Sequence, residues 1–150
     1  MTFKKRLWRS INALAGTPEV VQPPVQRARD DPQVDRGSQL LLALRYKELA
    51  ERGVILPFDE VEFRSYSQNG EDGLLWYIFS LIGTTSKTCV EICAGDGREC
   101  NSANLIINHG WTGLLFDGNA DHVRTGQQFY RSHRDTFTYP PNLVHAWITA

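Results

Sequence analysis

Across residues 88–119 the chain sets two short apolar runs around a glycine turn and a helical stretch, an order that few folds accept. The first run, Cys89-Val90-Glu91-Ile92-Cys93, carries a single acid and opens into Ala94-Gly95-Asp96-Gly97; the second, Leu114-Leu115-Phe116, ends in Asp117. Short runs that are apolar on both faces suit parallel strands covered from both sides. Parallel neighbours need a crossover, and the intervening segment has the length and patterning of a helix. The unit therefore reads as strand, loop, helix, strand. Gly95 and Gly97 stand at the sharp turn, where a residue without a side chain avoids clashes and reaches positive φ. Asp117 follows Gly97 by twenty positions, near the spacing at which a carboxylate after a second strand meets a ribose hydroxyl.

The flanking sequence extends this unit. Ser38 is placed to cap a helix running through Leu40-Leu41-Leu42-Ala43-Leu44 to Ala50, with Gly53 as its left-handed stop and Pro57 blocking continuation. A second helix is capped by Ser67 or Asn69, carries Glu71 and Asp72 at its positive end, repeats Leu74, Leu75, Ile78, Phe79 and Ile82 on one face, and ends at Gly83. Strands are expected over 88–94, 114–116 and 144–149, and helices over 99–108 and 121–133, with His109-Gly110 stopping the first of these helices. This alternation implies an α/β fold: a Rossmann-like parallel sheet with right-handed crossovers and flanking helices. Three strands make only the N-terminal half of such a sheet, so an open edge is expected, and with it self-association.

Outside this region the sequence constrains less. Residues 1–15 carry Lys4, Lys5, Arg6 and Arg9 among Phe3, Leu7, Trp8, Ile11 and Leu14. That pattern fits either a basic amphipathic helix making weak contact with a membrane surface or a partner, or a solvated terminus. Residues 16–37 hold Pro18, Pro23, Pro24 and Pro32 with little apolar content and read as a linker, leaving 38–150 as the folded domain. A formal net charge of -1 gives no case for nucleic acid as a partner. No apolar run is long enough for a secretory signal or a membrane span, so the chain is read as cytoplasmic. Cys89, Cys93 and Cys100 fit no metal, redox or disulfide spacing, and two of them are expected inside a buried strand. His109, His122, His133 and His145 are too widely spaced to suggest a metal site.

The loop itself discriminates between ligands. A dinucleotide fingerprint would place a third glycine where Cys100 stands, and Asp96 would repel a pyrophosphate. A ligand with a ribose and a cationic centre fits better. Glu91 is placed to accept hydrogen bonds from an amino group or a bridging water, or else to pair with a neighbouring lysine inside the fold. Asp117 is placed to take both ribose hydroxyls, or else to cap a helix or make an Asp-Gly turn. Trp111, Phe116, Phe129, Tyr130 and Trp147 read as core or helix-packing aromatics in preference to base-stacking platforms.

Three segments together resemble a known family. Glu91-Ile-Cys-Ala-Gly95-Asp-Gly97 is similar to the S-adenosylmethionine loop of Rossmann-like methyltransferases, and Gly113-Leu-Leu-Phe-Asp117-Gly to their second-strand acidic motif. Ser65-Tyr-Ser-Gln68-Asn-Gly-Glu71-Asp72-Gly resembles the segment that precedes this loop in FkbM-like methyltransferases. The resemblance spans about 63–149. It implies a methyl donor, S-adenosylmethionine, held by Glu91, Gly95, Asp96, Gly97 and Asp117, with transfer to a hydroxyl of a saccharide or other small molecule. Gln68, Glu71 and Asp72 would then close the lip of the pocket, although Glu71 and Asp72 equally suit a helix dipole.

Overall fold

A computed structural model of the chain describes residues 34–148, which lie within one compact unit, Asp31–Ala150. The basic segment 1–15 and most of the proline-rich stretch 16–37 lie outside the described residues. In chain order the elements are α1 (Arg36–Glu51), a 3-10 turn (Phe58–Glu60), α2 (Glu71–Ile82), β1 (Thr88–Ile92), α3 (Ala103–His109), β2 (Thr112–Asp117), α4 (Ala120–Ser132) and β3 (Asn142–His145). The fold is α/β, with a three-stranded parallel sheet in the order β1-β2-β3.

Helix α1 starts earlier than its leucines suggest. Asp35, not Ser38, caps it, its carboxylate accepting from the main-chain N–H groups of Gly37 and Ser38, so Arg36 and Gly37 belong to the helix and not to a linker. At the other end Gly53 has φ 75°, and the N–H groups of Gly53 and Val54 close onto Ala50 O and Leu49 O, a Schellman stop. The buried side of α1 is unexpected: Leu40, Leu41 and Leu44 are exposed, while Gln39 and Tyr46 are buried. Tyr46 joins Val61 and Tyr77 in a small cluster between α1 and α2. Gln39 is tolerated inside because its amide is satisfied. Its Nε2 reaches Val34 O at 2.8 Å, Ser65 Oγ at 3.0 Å and Asn104 Oδ1 at 3.1 Å, and its Oε1 accepts from Asn104 Nδ2 and His109 Nε2.

Strand register follows from the pairing of Val90 with Leu114 and of Leu114 with Asn142. Successive residues alternate between faces, so Cys89, Glu91, Gly113, Leu115 and Leu143 share one side. Both crossover helices lie there. Gly113 brings the sheet so close to α3 that a Cβ would stand 2.6 Å from Ile106 Cδ1. Gly126 does the same for α4, a Cβ falling 2.3 Å from Leu143 Cδ2. The main core, which includes Ala94, Ala103, Ile106, Trp111, Leu115, Val123, Tyr130 and Leu143, fills this side.

The opposite face differs from expectation. Val90 and Ile92 are 66% and 54% exposed and Leu114, Phe116 and Val144 are half-buried, with no helix over them among the described residues. Apolar strands were expected to be covered on both sides; the helices following β1 and β2 both pack on the Leu115 face, which leaves the other uncovered. The loop before α3 is also longer than expected, the helix beginning at Ala103 and not near Glu99, because the main chain of 93–102 is committed to turns. Strand β3 begins two residues before Val144, and Thr149 lies outside the described residues. No helix of the described residues is long and apolar enough to cross a membrane.

Candidate functional site

The carboxyl ends of β1 and β2 meet through a side chain. Asp117 Oδ2 accepts the Gly95 N–H at 2.9 Å, and its Oδ1 accepts the Asn119 N–H at 2.8 Å. The acid thus makes a local turn, one of its two sequence readings, and also reaches across to the glycine loop. The Asn119 N–H, the Gly95 N–H and His122, whose Nδ1 lies 3.5 Å from Oδ1, hold the Asp117 carboxyl below the usual range. Each carboxylate oxygen accepts more than one hydrogen bond, so acceptor capacity remains on Asp117. Asn119 itself caps α4, accepting from the N–H groups of Asp121 and His122.

The glycine loop is built as its residues require. Gly95 and Gly97 have φ 60° and 73°, the left-handed region that glycine enters without strain. Around Gly95 an added Cβ would meet nothing within 4 Å, so the approach to its main chain is open. Gly97 is enclosed instead, a Cβ standing 2.9 Å from Tyr130 Cε2 and 3.2 Å from Leu115 Cδ1. Tyr130 is fully buried and its hydroxyl donates to Gly97 O, so α4 clamps the loop from below. Between the glycines, Asp96 pairs with Arg98, whose Nε lies 2.8 Å from Oδ2. Burial pushes the Asp96 carboxyl up, but the Arg98 hydrogen bonds and charge outweigh it and leave the group below its ordinary value. Arg98 also lies over the Phe129 ring, 5.9 Å from its centroid.

Glu91 is positioned differently from the expectation of a free acceptor. Its carboxylate takes the Asn101 N–H at 3.0 Å, the Ser102 N–H at 2.8 Å and the Ser102 hydroxyl. Its partners belong to its own loop and are not the neighbouring lysine of the sequence reading. The N–H groups just ahead of α3 are turned onto this acid. Glu91 braces the long loop from below its far end.

The acids of the second segment are also turned to structural use. Asp72 is 1% exposed, and its Oδ2 accepts the N–H groups of Ser65, Tyr66 and Ser67 at 2.7, 2.6 and 2.8 Å. Ser67 Oγ in return accepts the Asp72 N–H at 3.1 Å. A reciprocal cap of this kind satisfies donors at a helix start. Asp72 therefore does not sit at a pocket lip. Glu71 accepts from the Asn69 main chain and side chain, and Gln68 stands exposed on the turn just before Asn69. Tyr66 carries this turn onto the main core.

Two residues given no ligand role from sequence stand at the site. His122 lies beside Asp117 because α4 starts immediately after β2. Trp147, read as a core aromatic, is 80% exposed and packs on Gly118. Trp111 and Tyr130, by contrast, are core residues as expected. The cysteines also redistribute: Cys100 is buried, Cys89 is half-buried, and Cys93 is exposed with φ 61°, because the chain leaves the strand at that residue and begins its turn. Comparison of the chain with protein-family models, with curated proteins and with solved structures returns no match.

Proposed function

We propose that the chain carries the donor-binding half-site of a Rossmann-like S-adenosylmethionine-dependent methyltransferase, acting on a hydroxyl of a saccharide or other small molecule. The observation that carries this reading is the hydrogen bond from the Gly95 N–H to Asp117, which sets an acid with spare acceptor capacity against an open glycine loop at adjacent parallel strand ends. Ligands of parallel α/β sheets bind outside the carboxyl ends of the strands. Asp117 takes the ribose hydroxyls, the main chain at Gly95 lines the approach, and Arg98 keeps the Asp96 charge paired. Glu91, Asp72 and Tyr130 hold the loops that present these groups. S-adenosylmethionine, when bound, supplies an electrophilic methyl group, and the protein's part is alignment and a matched electrostatic setting.

The uncovered face of Val90, Ile92, Leu114, Phe116 and Val144 favours a second reading, a non-catalytic module that keeps the nucleoside half-site. Calorimetric titration with S-adenosylhomocysteine and with NAD tests the first reading. Tight binding of the former alone is expected, and Asp117→Ala should weaken it by about 1–3 kcal/mol, the scale for charge-assisted hydrogen bonds. Binding without methyl transfer to any hydroxyl acceptor favours the second reading. An Asp117→Ala variant of unchanged affinity removes the acid from the site.

A further inference from the structure

We propose that Asn69 is a site of spontaneous covalent modification, at which the Gly70 nitrogen closes onto the Asn69 side chain and converts it to a mixture of aspartate and isoaspartate. The site lies in the turn before α2 and is independent of the reading of Asp117. Asn69 is the single asparagine of the chain that precedes a glycine. Asparagine is a thermolabile residue, and a following glycine puts no side chain in the way of attack on its amide. Asn69 is exposed. Its Nδ2 donates to Glu71 Oε1 at 3.2 Å and its main-chain N–H to Glu71 Oε2 at 2.8 Å, so the amide is turned forward along the chain, toward the residue after Gly70. Gly70 has φ 103° and is buried against Glu62, yet its N–H has no hydrogen-bond partner among the described residues. Main-chain donors in such positions are nearly always paired; this one is left free to react. Comparable dipeptides elsewhere are tied down. The Gly73 N–H after Asp72 donates to Phe63 O and Gly70 O, and the Gly97 N–H after Asp96 donates to Ala94 O.

The step needs water and no other reactant. Gly70 N gives up its proton and bonds to Asn69 Cγ as the Cγ–Nδ2 bond breaks, and the amide nitrogen leaves with that proton as ammonia. Water then opens the cyclic imide. Cleavage between Cγ and Gly70 N gives aspartate; cleavage between the Asn69 main-chain carbonyl and Gly70 N gives isoaspartate. Either product disturbs the turn. The donor Nδ2 becomes a carboxylate oxygen facing Glu71, whose carboxyl its own main-chain N–H and that of Asn69 hold below the usual range, so a hydrogen bond turns into a contact between two charges. Isoaspartate also adds a methylene to the main chain, next to the segment whose Ser65, Tyr66 and Ser67 N–H groups converge on Asp72. The modification therefore loosens the entry to α2 as the protein ages.

The full chain is incubated in mildly alkaline heavy-oxygen water, folded and in urea, and its peptides are followed by mass spectrometry with fragmentation that distinguishes aspartate from isoaspartate. Label is expected at Asn69 ahead of every other asparagine, at a rate in the folded chain of the same order as in the unfolded one, and absent from residue 69 in Asn69→Gln. Protection of Asn69 in the folded chain overturns the proposal, as does faster conversion at another asparagine. Urea denaturation then compares fresh and aged protein. The aged chain is expected to unfold at lower urea than the fresh one and at lower urea than Asn69→Asp, which carries the charge on an ordinary main chain, while aged Asn69→Gln keeps its midpoint. An aged, converted chain with the midpoint of the fresh one overturns the loosening of α2.

Discussion

Replacing Asp72 with alanine removes the acceptor of three main-chain N–H groups at once, those of Ser65, Tyr66 and Ser67. Ser65 and Ser67 are buried, at 6% and 1% exposure, so two of these donors cannot turn to water without moving the chain. A buried donor left without a partner costs about 1–3 kcal/mol. Two such losses, with a smaller one at half-buried Tyr66 and lost favourable interaction at the start of α2, sum to about 3–5 kcal/mol. Against a net stability of about 5–15 kcal/mol for a typical domain, that is a large fraction. Asp72→Asn separates the contributions. Its amide oxygen can occupy the Oδ2 position, and its NH2 falls where Oδ1 is buried without a hydrogen-bond partner, so the expected loss is about 1–2 kcal/mol. Urea denaturation followed by circular dichroism measures both, with the shift appearing in the midpoint at a constant slope. A loss below about 1 kcal/mol in Asp72→Ala would refute the claim that this side chain organises the turn.

Other perturbations test other parts of the fold. Burial, followed by the charges of Arg36 and Lys87, lowers the His109 pKa from 6.5 to about 4. The unfolded chain therefore takes up a proton below pH 6.5 that the folded chain refuses until about 4. The stability linked to His109 is complete above that window and falls through it by about 3 kcal/mol in all; denaturation midpoints across this pH range should show a slope that shrinks in His109→Asn. Gly126→Ala should gain about 1 kcal/mol from helix propensity and lose more. Its Cβ would stand 2.3 Å from Leu143 Cδ2 and 2.5 Å from Asp96 O, so a lower melting temperature is expected and a higher one would contradict the close approach of α4. The uncovered apolar face and the β1 edge, unpaired on one side among the described residues, should make the chain associate with rising concentration. Sedimentation should show this association diminished in Val90→Lys; a monomer at all concentrations would count against it.

Local chemistry carried most of the architecture. The stops at Gly53, Gly83 and Gly110 were legible because each takes positive φ, with values of 75°, 74° and 67°, and the strand-helix alternation was legible because the apolar period changes between segments. Helix α1 was legible in existence but not in orientation. Its leucines suggest the buried face, yet Gln39 goes inside because four partners, Val34, Ser65, Asn104 and His109, complete its hydrogen bonds. His109 in turn stacks on Trp76 with ring centroids 3.6 Å apart. No periodicity reports a partner 65 or 70 residues away.

The same division runs through the candidate site. Sequence alone determined that two glycines would turn the chain after β1 and that an acid would end β2, since φ preference and strand length are properties of a few neighbouring residues. It could not determine what the acids do. Glu91 and Asp117 look alike in a pattern of residue types, but Glu91 takes three donors from its own loop and braces it, whereas Asp117 takes one from the turn after it and one from the glycine loop, beside the open approach to Gly95. Trp147 shows the point from the other side: its composition predicts burial, and its exposure is decided by β3 ending at His145, which leaves the ring on Gly118 at the edge of the sheet. Which groups are already spent and which remain free depends on distances between segments far apart in the chain, and only the tertiary structure sets those distances.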